Sequence, residues 1–311
     1  MSKYLVTGGA GFIGSNIAEE LVKRGRPVRI IDNFLTGKKE NISSFLDKIE
    51  LIEGDIRDYD SCSKALDGVD FVLHQAALPS VPRSIEDPLL TTEINIKGTL
   101  NILLASREAE VKGFVFASSS SVYGDDPSLP KKEGNVGNPL SPYAVSKLAG
   151  EKYCCVFSQI FGLSTVCLRY FNIFGPRQDP SSQYAAVIPN FITRMLKGES
   201  PTIFGDGEQS RDFTYVSNVV EANILASEAK GVSGEVFNIA CGEGTTVNSL
   251  ASSLNEILKE EISPSYDEPR PGDVRHSFAD ISKARKMLKY EPLVPFGKGL
   301  EETIRWYKER K

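Results

Sequence analysis

A tyrosine and a lysine four residues apart, Tyr143 and Lys147, form a pair that could carry out proton chemistry. They follow a break at Asn138–Pro142, so we expect them on a new helix, where this spacing places both side chains on one face. A lysine ammonium near a phenol favours the phenolate and lowers a tyrosine pKa that is ordinarily about 10. Because the same spacing recurs by chance on many helices, the pair predicts a general acid and base only together with further features.

A run of four serines, Ser118–Ser121, comes at the end of a predicted strand upstream of this pair. The carboxyl ends of parallel strands are where α/β sheets bind ligands. A hydroxyl there, with Ser119 as the first candidate, can hydrogen-bond a reacting oxygen and stabilise charge as a proton leaves. The two histidines of the chain, His74 and His276, are isolated in the sequence, so we expect neither a nucleophilic serine triad nor a metal site.

A glycine-rich segment, Thr7–Gly14, lies between the first predicted strand and the first predicted helix. Its glycines Gly8, Gly11 and Gly14 permit a tight turn and let the backbone approach a pyrophosphate at the helix N-terminus. Taken alone, the motif also fits a merely tight turn. Asp32, however, follows Gly14 by 18 residues, where a carboxylate accepts hydrogen bonds from the adenosine ribose and repels a 2′-phosphate. The sequence therefore predicts a dinucleotide site for NAD rather than NADP.

Short β-branched runs alternate with segments of helical period through the first two-thirds of the chain. This repetition of strand and helix predicts an α/β fold, a Rossmann-type doubly wound parallel sheet. The predicted strands are Tyr4–Thr7, Val28–Ile31, Ile49–Glu53, Phe71–His74, Phe114–Ser118, Thr165–Arg169 and Glu235–Ala240.

The pattern changes after about Pro176, where segments become shorter and are punctuated by Pro, Gly and Asp. We predict an NAD-binding domain over residues 1–176, rejoined by about 235–245 because a buried strand is predicted there. Residues 177–311 are predicted to form mainly a smaller mixed α/β subdomain that binds the substrate.

Composition limits the partners of the chain. Of its 311 residues, 41% are hydrophobic and 25% are charged, which is enough apolar material for a sizeable core. The net charge of -5 gives no field that attracts nucleic acid or an anionic membrane, and no run of about 20 apolar residues predicts a membrane span. Five cysteines without a CxxC spacing fit reduced thiols and a cytoplasmic location.

These motifs together resemble a known family. The glycine motif, Ser119 with Tyr143 and Lys147, and the segment Arg169–Pro176 (RYFNIFGP) are similar to extended short-chain dehydrogenases that act on nucleotide sugars, most closely the UDP-hexose 4-epimerase group. The similarity runs from residue 3 to about residue 290. It implies an NAD-dependent enzyme in which Ser119, Tyr143 and Lys147 are catalytic.

The resemblance also implies two sets of binding residues. The cofactor contacts would be Gly8, Gly11, Phe12, Ile13, Gly14, Asp32, Asn33, Phe34, Thr36, Gly37, Asp55, Ile56, Gln75, Ala76, Ala77, Asn95, Ser118, Tyr143, Lys147 and Phe171. The UDP-sugar contacts would be Ser119, Ser121, Tyr143, Asn172, Ala186, Val187, Thr202, Phe204, Arg211, Arg270, Asp273 and Ser277. Arg211 and Arg270 would clamp the diphosphate, because the guanidinium fork matches phosphate oxygens. Asp55 fits either an adenine contact or the N-cap of a loop.

The implied reaction exchanges UDP-GlcNAc with UDP-GalNAc, and UDP-glucose with UDP-galactose. Tyr143 would take the proton from the sugar O4 as hydride leaves C4 for NAD; the 4-keto sugar then turns over and hydride returns to its other face. Ser277 aligns with a position where a tyrosine excludes N-acetyl groups, so its small side chain predicts that N-acetylated sugars are accepted.

Related activities share much of this pattern. Sugar 4,6-dehydratases carry an acidic pair just after the serine, whereas this chain has Ser120 and Ser121, which disfavours elimination. UDP-glucuronate decarboxylase and UDP-glucuronate 4-epimerase activities remain open, because both share the serine, tyrosine and lysine. A non-enzymatic NAD-binding regulator is the more distant alternative.

The resemblance further implies a homodimer that forms through two helices, near residues 89–109 and 143–160. Apolar side chains in these segments fit such a contact, although core packing explains them equally well. They are Leu100, Leu103, Leu104 and Val156.

Overall fold

The computed structural model describes residues 1–180, 186–269 and 274–310. Its strands are β1 (Tyr4–Thr7), β2 (Val28–Asp32), β3 (Glu50–Glu53), β4 (Phe71–His74), β5 (Gly113–Ser119), β6 (Thr165–Tyr170), β7 (Ile173–Phe174), β8 (Thr202–Phe204), β9 (Ser210–Arg211), β10 (Thr214–Tyr215), β11 (Glu235–Ile239), β12 (Thr245–Thr246), β13 (Ser265–Asp267) and β14 (His276–Ser277). Its α-helices are α1 (Phe12–Lys23), α2 (Tyr59–Leu66), α3 (Val81–Glu86), α4 (Pro88–Thr92), α5 (Thr99–Glu108), α6 (Pro142–Phe161), α7 (Val187–Met195), α8 (Val216–Glu228), α9 (Val247–Leu258), α10 (Ser282–Leu288) and α11 (Phe296–Lys308). Short 3₁₀ segments occupy Lys39–Asn41, Ser43–Lys48 and Ser120–Tyr123, and a π-helical turn occupies Glu93–Gly98.

Seven parallel strands form the large sheet, in the order β3-β2-β1-β4-β5-β6-β11. This is the order of a doubly wound sheet with one strand added at the β6 edge. β1 is wholly buried, as expected for a parallel strand covered by helices on both faces. The predicted fold class is confirmed, and each predicted strand is present with ends that differ by at most one residue.

Two helices that matter for the site begin and end where the local sequence dictates. α1 starts directly after the glycine motif, and the chain leaves its last turn through Gly25 at φ +69°. α6 is capped by Ser141, whose Oγ accepts a hydrogen bond from the Ala144 N–H at 3.1 Å, and Pro142 occupies its first turn. It ends at Gly162, in the left-handed conformation at φ 69°, which favours glycine. The predicted new helix for Tyr143 is therefore present.

Three apolar clusters make up the core. One packs beneath α1, α8 and α10, and another lies under α2, α5 and α6 on the opposite face of the sheet. The third is separate and is formed mainly by α7, α9 and α11 with the short strands beside them. Over the described ranges, no helix is long and apolar enough to cross a membrane.

Candidate active site

A cleft of about 950 Å³ runs along the carboxyl ends of the sheet strands. It passes the gap between β1 and β4, where the winding of the sheet reverses and where such sheets bind their ligands. The predicted cofactor residues that line it are Gly8, Gly11, Phe12, Ile13, Gly14, Asp32, Asn33, Phe34, Thr36, Gly37, Asp55, Ile56, Gln75, Ala76, Ala77, Ser118, Tyr143 and Lys147.

The glycine motif closes on itself at one end of this cleft. A Cβ on Gly14 would lie 2.2 Å from the Gly8 carbonyl oxygen, and Gly8 itself has φ +63°. No side chain fits between them, so the backbone N–H groups at the start of α1 stay open to a ligand in the cleft. That is the arrangement which binds a pyrophosphate.

Asp32 is held in place by its own backbone neighbours. Its carboxylate accepts hydrogen bonds from the Ala10 and Phe34 N–H groups, at 2.9 and 2.8 Å. Burial raises the pKa of Asp32, and the two backbone bonds oppose that rise. Each carboxylate oxygen keeps further acceptor capacity and faces the cleft where an adenosine ribose would lie.

Asp55 lines the same cleft and does not cap a helix. Hydrogen bonds from Arg57 lower its pKa to about 2, and Asn33 donates a further bond at 2.8 Å. The cap of α2 is Asp58 instead, which accepts from the Ser61 N–H at 3.1 Å. Asp55 Oδ1 also accepts from the Arg57 N–H at 2.8 Å, so Asp55 caps the turn after β3, as one of its two readings expected, and the adenine contact remains a prediction.

Lys147 and Tyr143 meet at the other end of the cleft. Lys147 Nζ donates to the Ala117 carbonyl oxygen at 2.8 Å and lies 5.9 Å from the centre of the Tyr143 ring. Burial lowers the pKa of Lys147 to about 8. Burial also raises the pKa of Tyr143, and a hydrogen bond with Ser119 lowers it in part. The expected lowering by Lys147 is therefore not observed, because the ammonium is bonded to a carbonyl and the loss of water dominates.

The catalytic serine candidates lie directly after β5. Ser119 Oγ accepts a hydrogen bond from the Ser121 N–H at 3.2 Å, which begins the 3₁₀ turn. The Ser121 hydroxyl is buried and has no hydrogen-bond partner among the described residues. Ser119 is thus the serine that the structure brings to Tyr143.

Two predicted cofactor residues do not line the cleft. Asn95 is 2% exposed, and its amide accepts from the Leu78 N–H at 2.7 Å and donates to Ser146 Oγ at 3.0 Å. Phe171 is fully buried, with its ring 5.9 Å from that of Tyr123. Their direct contact with the cofactor remains a prediction.

A second cavity, of about 490 Å³, is lined by residues of α7, β8 and β9 and by the chain after β6. The predicted substrate residues that line it are Asn172, Ala186, Val187, Thr202, Phe204 and Arg211. Residues that the sequence did not single out also contribute: Arg194, Gln209, Phe213 and Asp267. The side chain of Arg211 is anchored on the Ser210 carbonyl oxygen at 2.9 Å.

Three further predicted substrate residues, Ser277, Arg270 and Asp273, are not among the described residues that line the second cavity. Ser277 lies beside Arg211 in the parallel pairing of β14 with β9 but does not line the cavity. Arg270 and Asp273 lie outside the described residues.

A buried polar network beneath the site was missed by sequence reasoning. Glu151 and Arg169 form an ion pair at 2.8 Å with both side chains 3% exposed. His74 is buried between Thr7 and Thr99, and burial lowers its pKa to about 3. One signal was available: Arg169 is a charge within a run predicted to be a buried strand, and such a charge needs a partner.

Comparison with known proteins agrees with this geometry. Residues 4–240 match the model of the NAD dependent epimerase/dehydratase family. The chain belongs to that family. Its cofactor is accordingly NAD, and it is an enzyme of the epimerase type.

Individual relatives are similar over almost their whole length. A UDP-N-acetylglucosamine 4-epimerase from Methanobrevibacter ruminantium, solved with UDP-N-acetylmuramic acid, is 43% identical, with 100% and 99% of the two chains covered and a TM-score of 0.95. A UDP-glucose 4-epimerase from Mycolicibacterium smegmatis is 35% identical, with 98% of each chain covered. A UDP-N-acetyl-alpha-D-glucosaminuronate decarboxylase from Bacillus cytotoxicus is 36% identical, with 98% and 97% covered.

Proposed function

We propose that the protein is an NAD-dependent 4-epimerase of UDP-hexoses, which interconverts UDP-GlcNAc with UDP-GalNAc and UDP-glucose with UDP-galactose. The observation that carries the proposal is the meeting of Tyr143 and Lys147 at one end of a cleft whose other end is a pyrophosphate-binding turn, with Ser119 at the end of β5. The Gly14–Gly8 approach and the oriented Asp32 carboxylate fit NAD. Bound NAD⁺ supplies the hydride acceptor.

Tyr143 is the general acid and base in this proposal. It accepts the proton of the C4 hydroxyl as C4 is oxidised, and it returns the proton after the 4-keto sugar has turned over. Ser119 donates a hydrogen bond to the same oxygen and stabilises the charge that develops there. Lys147, fixed on the Ala117 carbonyl, keeps its amine 5.9 Å from the centre of the Tyr143 ring, beside the reacting groups.

The second cavity would bind the UDP portion. Arg211 would contact the diphosphate, with Thr202, Phe204, Ala186 and Val187 around the nucleoside. A guanidinium already anchored on a backbone carbonyl loses less freedom when it binds phosphate. Asn172 would face the diphosphate from the chain after β6. Arg270, Asp273 and Ser121 are retained as further proposed contacts.

The substrate preference rests on Ser277. Its small side chain, paired in register with Arg211 of the second cavity, would leave room for a C2 N-acetyl group. The relative that is 43% identical and is named for UDP-N-acetylglucosamine also supports this assignment. The competing activity is decarboxylation or 4-epimerisation of UDP-glucuronate, which the decarboxylase relative from B. cytotoxicus favours.

One experiment separates these activities. The purified protein is incubated with UDP-GlcNAc, UDP-glucose or UDP-glucuronate, without added NAD, and the products are resolved by NMR. Formation of UDP-GalNAc from UDP-GlcNAc by the wild type, and its loss in Tyr143→Phe, establishes the proposal. Conversion of UDP-glucose alone keeps the mechanism and refutes the Ser277 argument, whereas turnover of UDP-glucuronate alone assigns the rival activity. Bound NAD without turnover of any substrate would support the regulator.

We further propose a homodimer formed by α4 and α6. Four apolar side chains on these helices are strongly exposed: Leu89 at 79%, Val145 at 50%, Val156 at 41% and Ile160 at 69%. Leu103, by contrast, is fully buried in the core, and Leu100 and Leu104 pack against that core, so these three do not form the exposed face. Sedimentation should show a dimer that Ile160→Asp dissociates. The control Leu293→Asp, at another site that is 73% exposed, should leave it intact.

The domain division and location are proposed on related grounds. β11 pairs with β6, which supports an NAD-binding unit over 1–176 and about 235–245. The second cavity supports a mainly UDP-sugar-binding unit over 177–311.

The five cysteines are free thiols, which fits the reducing cytoplasm. Proteolysis of the native protein and fractionation of cells test the two proposals.

A further inference from the structure

Glu151 is a buried charge that the proposed chemistry does not use. Its two carboxylate oxygens accept hydrogen bonds from Arg169 Nε and Nη2, each at 2.8 Å. Ser118 Oγ donates a third bond to Glu151 Oε1 at 2.5 Å. Burial lowers the pKa of Arg169, but the bonds and charge of Glu151 outweigh it and leave that pKa above its ordinary value. Because an apolar pair of similar volume is often as stable as a buried ion pair, stability alone does not account for these charges.

The position of Glu151 on α6 suggests what the charges do. Glu151 follows Lys147 by one helical turn, and the two side chains hold consecutive residues of β5: Lys147 bonds the Ala117 carbonyl and Glu151 bonds the Ser118 hydroxyl. A shift of α6 along β5 would break both contacts together. We name the set Ala117, Ser118, Lys147, Glu151 and Arg169 the α6–β5 clasp.

The two catalytic side chains lie at the open end of the α6–β5 clasp. Ser119 is the next residue of β5, and Tyr143 is one turn before Lys147 on α6. The helix also lies very close to the strand, since a Cβ on Gly150 would come within 2.3 Å of the Phe116 ring. The clasp therefore sets both the register and the separation of the elements that carry the reacting groups.

Arg169 extends the clasp to a third element. It pairs in register with Ser118 across β5 and β6, and its Nη1 donates to the Glu133 carbonyl oxygen at 3.0 Å. Its guanidinium also lies 4.8 Å from the ring centre of Tyr123, in the turn that follows the serines. The pair thus connects α6, both strands and the chain that follows the reacting serine.

We propose that Glu151, held by Arg169, is a positioning residue that fixes Ser119 relative to Tyr143 for proton transfer. The inference rests on the proposed catalytic roles of Ser119 and Tyr143. It adds that the geometry of the pair depends on a charge that touches neither substrate nor cofactor.

Ser118→Ala is the variant that tests the proposal with least disturbance. It removes the bond between Glu151 and the strand but leaves the ion pair with Arg169 intact. We expect kcat per NAD-loaded site to fall about 10- to 100-fold with KM nearly unchanged, because a displacement of about 1 Å can cost that much. The matched control is Ser106→Ala, since the Ser106 hydroxyl is fully buried and lacks a hydrogen-bond partner in the described parts of the chain. It should leave kcat unchanged.

The pH profile supplies the second readout. The Ser119 hydrogen bond lowers the pKa of Tyr143, so loosening that bond should move the corresponding limb of kcat to higher pH in Ser118→Ala. Glu151→Gln should shift it in the same direction. A lower melting temperature with wild-type kcat per loaded site and an unmoved profile would overturn the proposal, because it would show a merely structural role.

Tyr143→Phe, assayed in parallel, keeps the two hypotheses apart. If Tyr143→Phe turns over at close to the wild-type rate, the proposed function fails. If that variant is slower by about 10²-fold or more while Ser118→Ala reacts at the wild-type rate, only the positioning role is refuted.

Discussion

The cofactor cleft and the second cavity are built in different ways. The cleft lies at the ends of parallel strands, and much of its recognition surface is backbone, as at Gly8 and Gly14. The cavity is formed by side chains from short elements far apart in the chain, such as Asn172, Arg211 and Asp267. The proposed cofactor contacts are therefore concentrated in compact motifs, whereas the proposed substrate contacts come from separate positions along the chain.

The largest expected effect comes from the chemical end of the cleft. Tyr143→Phe removes the proton-transferring oxygen and should lower kcat about 10²- to 10⁴-fold, while NAD content and KM stay close to wild type. Steady-state kinetics with NAD quantified on the purified protein measure this. A large change in KM with little change in kcat would contradict the assignment of the chemical step to the cleft and of UDP-sugar binding to the second cavity.

A smaller effect should be selective for one substrate. Ser277→Tyr fills the space beside Arg211 and should lower kcat/KM for UDP-GlcNAc about 10- to 200-fold relative to UDP-glucose. Competition assays with both sugars give this ratio directly. An equal loss for the two sugars would show that the position supports the fold and does not select the C2 substituent.

Arg211→Gln should act on binding alone. Loss of a charge-assisted bond to phosphate should raise KM about 10- to 100-fold, with kcat and NAD content preserved. Arg275→Gln is the matched control, since its side chain is 65% exposed and pairs with Asp206 at the surface, where ion pairs contribute little. An unchanged KM for the UDP-sugar in Arg211→Gln would show that the diphosphate does not bind in the second cavity.

The smallest effect is an opposite response of the two regions to acid. Burial lowers the pKa of His74 to about 3. Between about pH 6.5 and about pH 3, therefore, only the unfolded state takes up this proton. Over that range the free energy of unfolding falls by about 1.4 kcal/mol for each unit by which the pH is lowered. Burial raises the pKa of Asp212 to about 6, against opposing backbone bonds from Cys241, Ala279 and Gly242. The folded state therefore binds that proton more tightly, and this stabilisation is lost as the pH rises through about 6.

Hydrogen-exchange protection factors at about pH 5 and about pH 7 test this contrast. Protection near Thr7 and His74 should decrease at the lower pH, while protection near Asp212 and Cys241 should increase. His74→Asn should flatten the first response only. Parallel changes in both regions would show that they respond to pH as one unit.

The sequence predicted what depends on local pattern and missed what depends on burial. The strands, the glycine turn and the new helix at Pro142 follow from periodicity and capping, and all are present. The pKa of Tyr143 could not be predicted, because it depends on how much water the fold removes from the phenol. Leu103 illustrates the same limit: helical spacing shows that it is apolar but not whether its face meets the core or a partner. Glu151 and Arg169 are 18 residues apart, and only the tertiary structure pairs them.

The return of the chain to the large sheet has a consequence for synthesis of the protein on the ribosome. β11 covers β6, so the nascent sheet keeps an unpaired hydrophobic edge until Glu235–Ile239 have emerged, after most residues of the second cavity have been made. Because synthesis proceeds at about 5–20 residues per second, β6 stays unpaired on this side for several seconds before β11 is made. A fragment that stops near residue 180 would carry that edge permanently and would be prone to aggregate. About three-quarters of the 311 residues thus have to be made before the nucleotide-binding half can close.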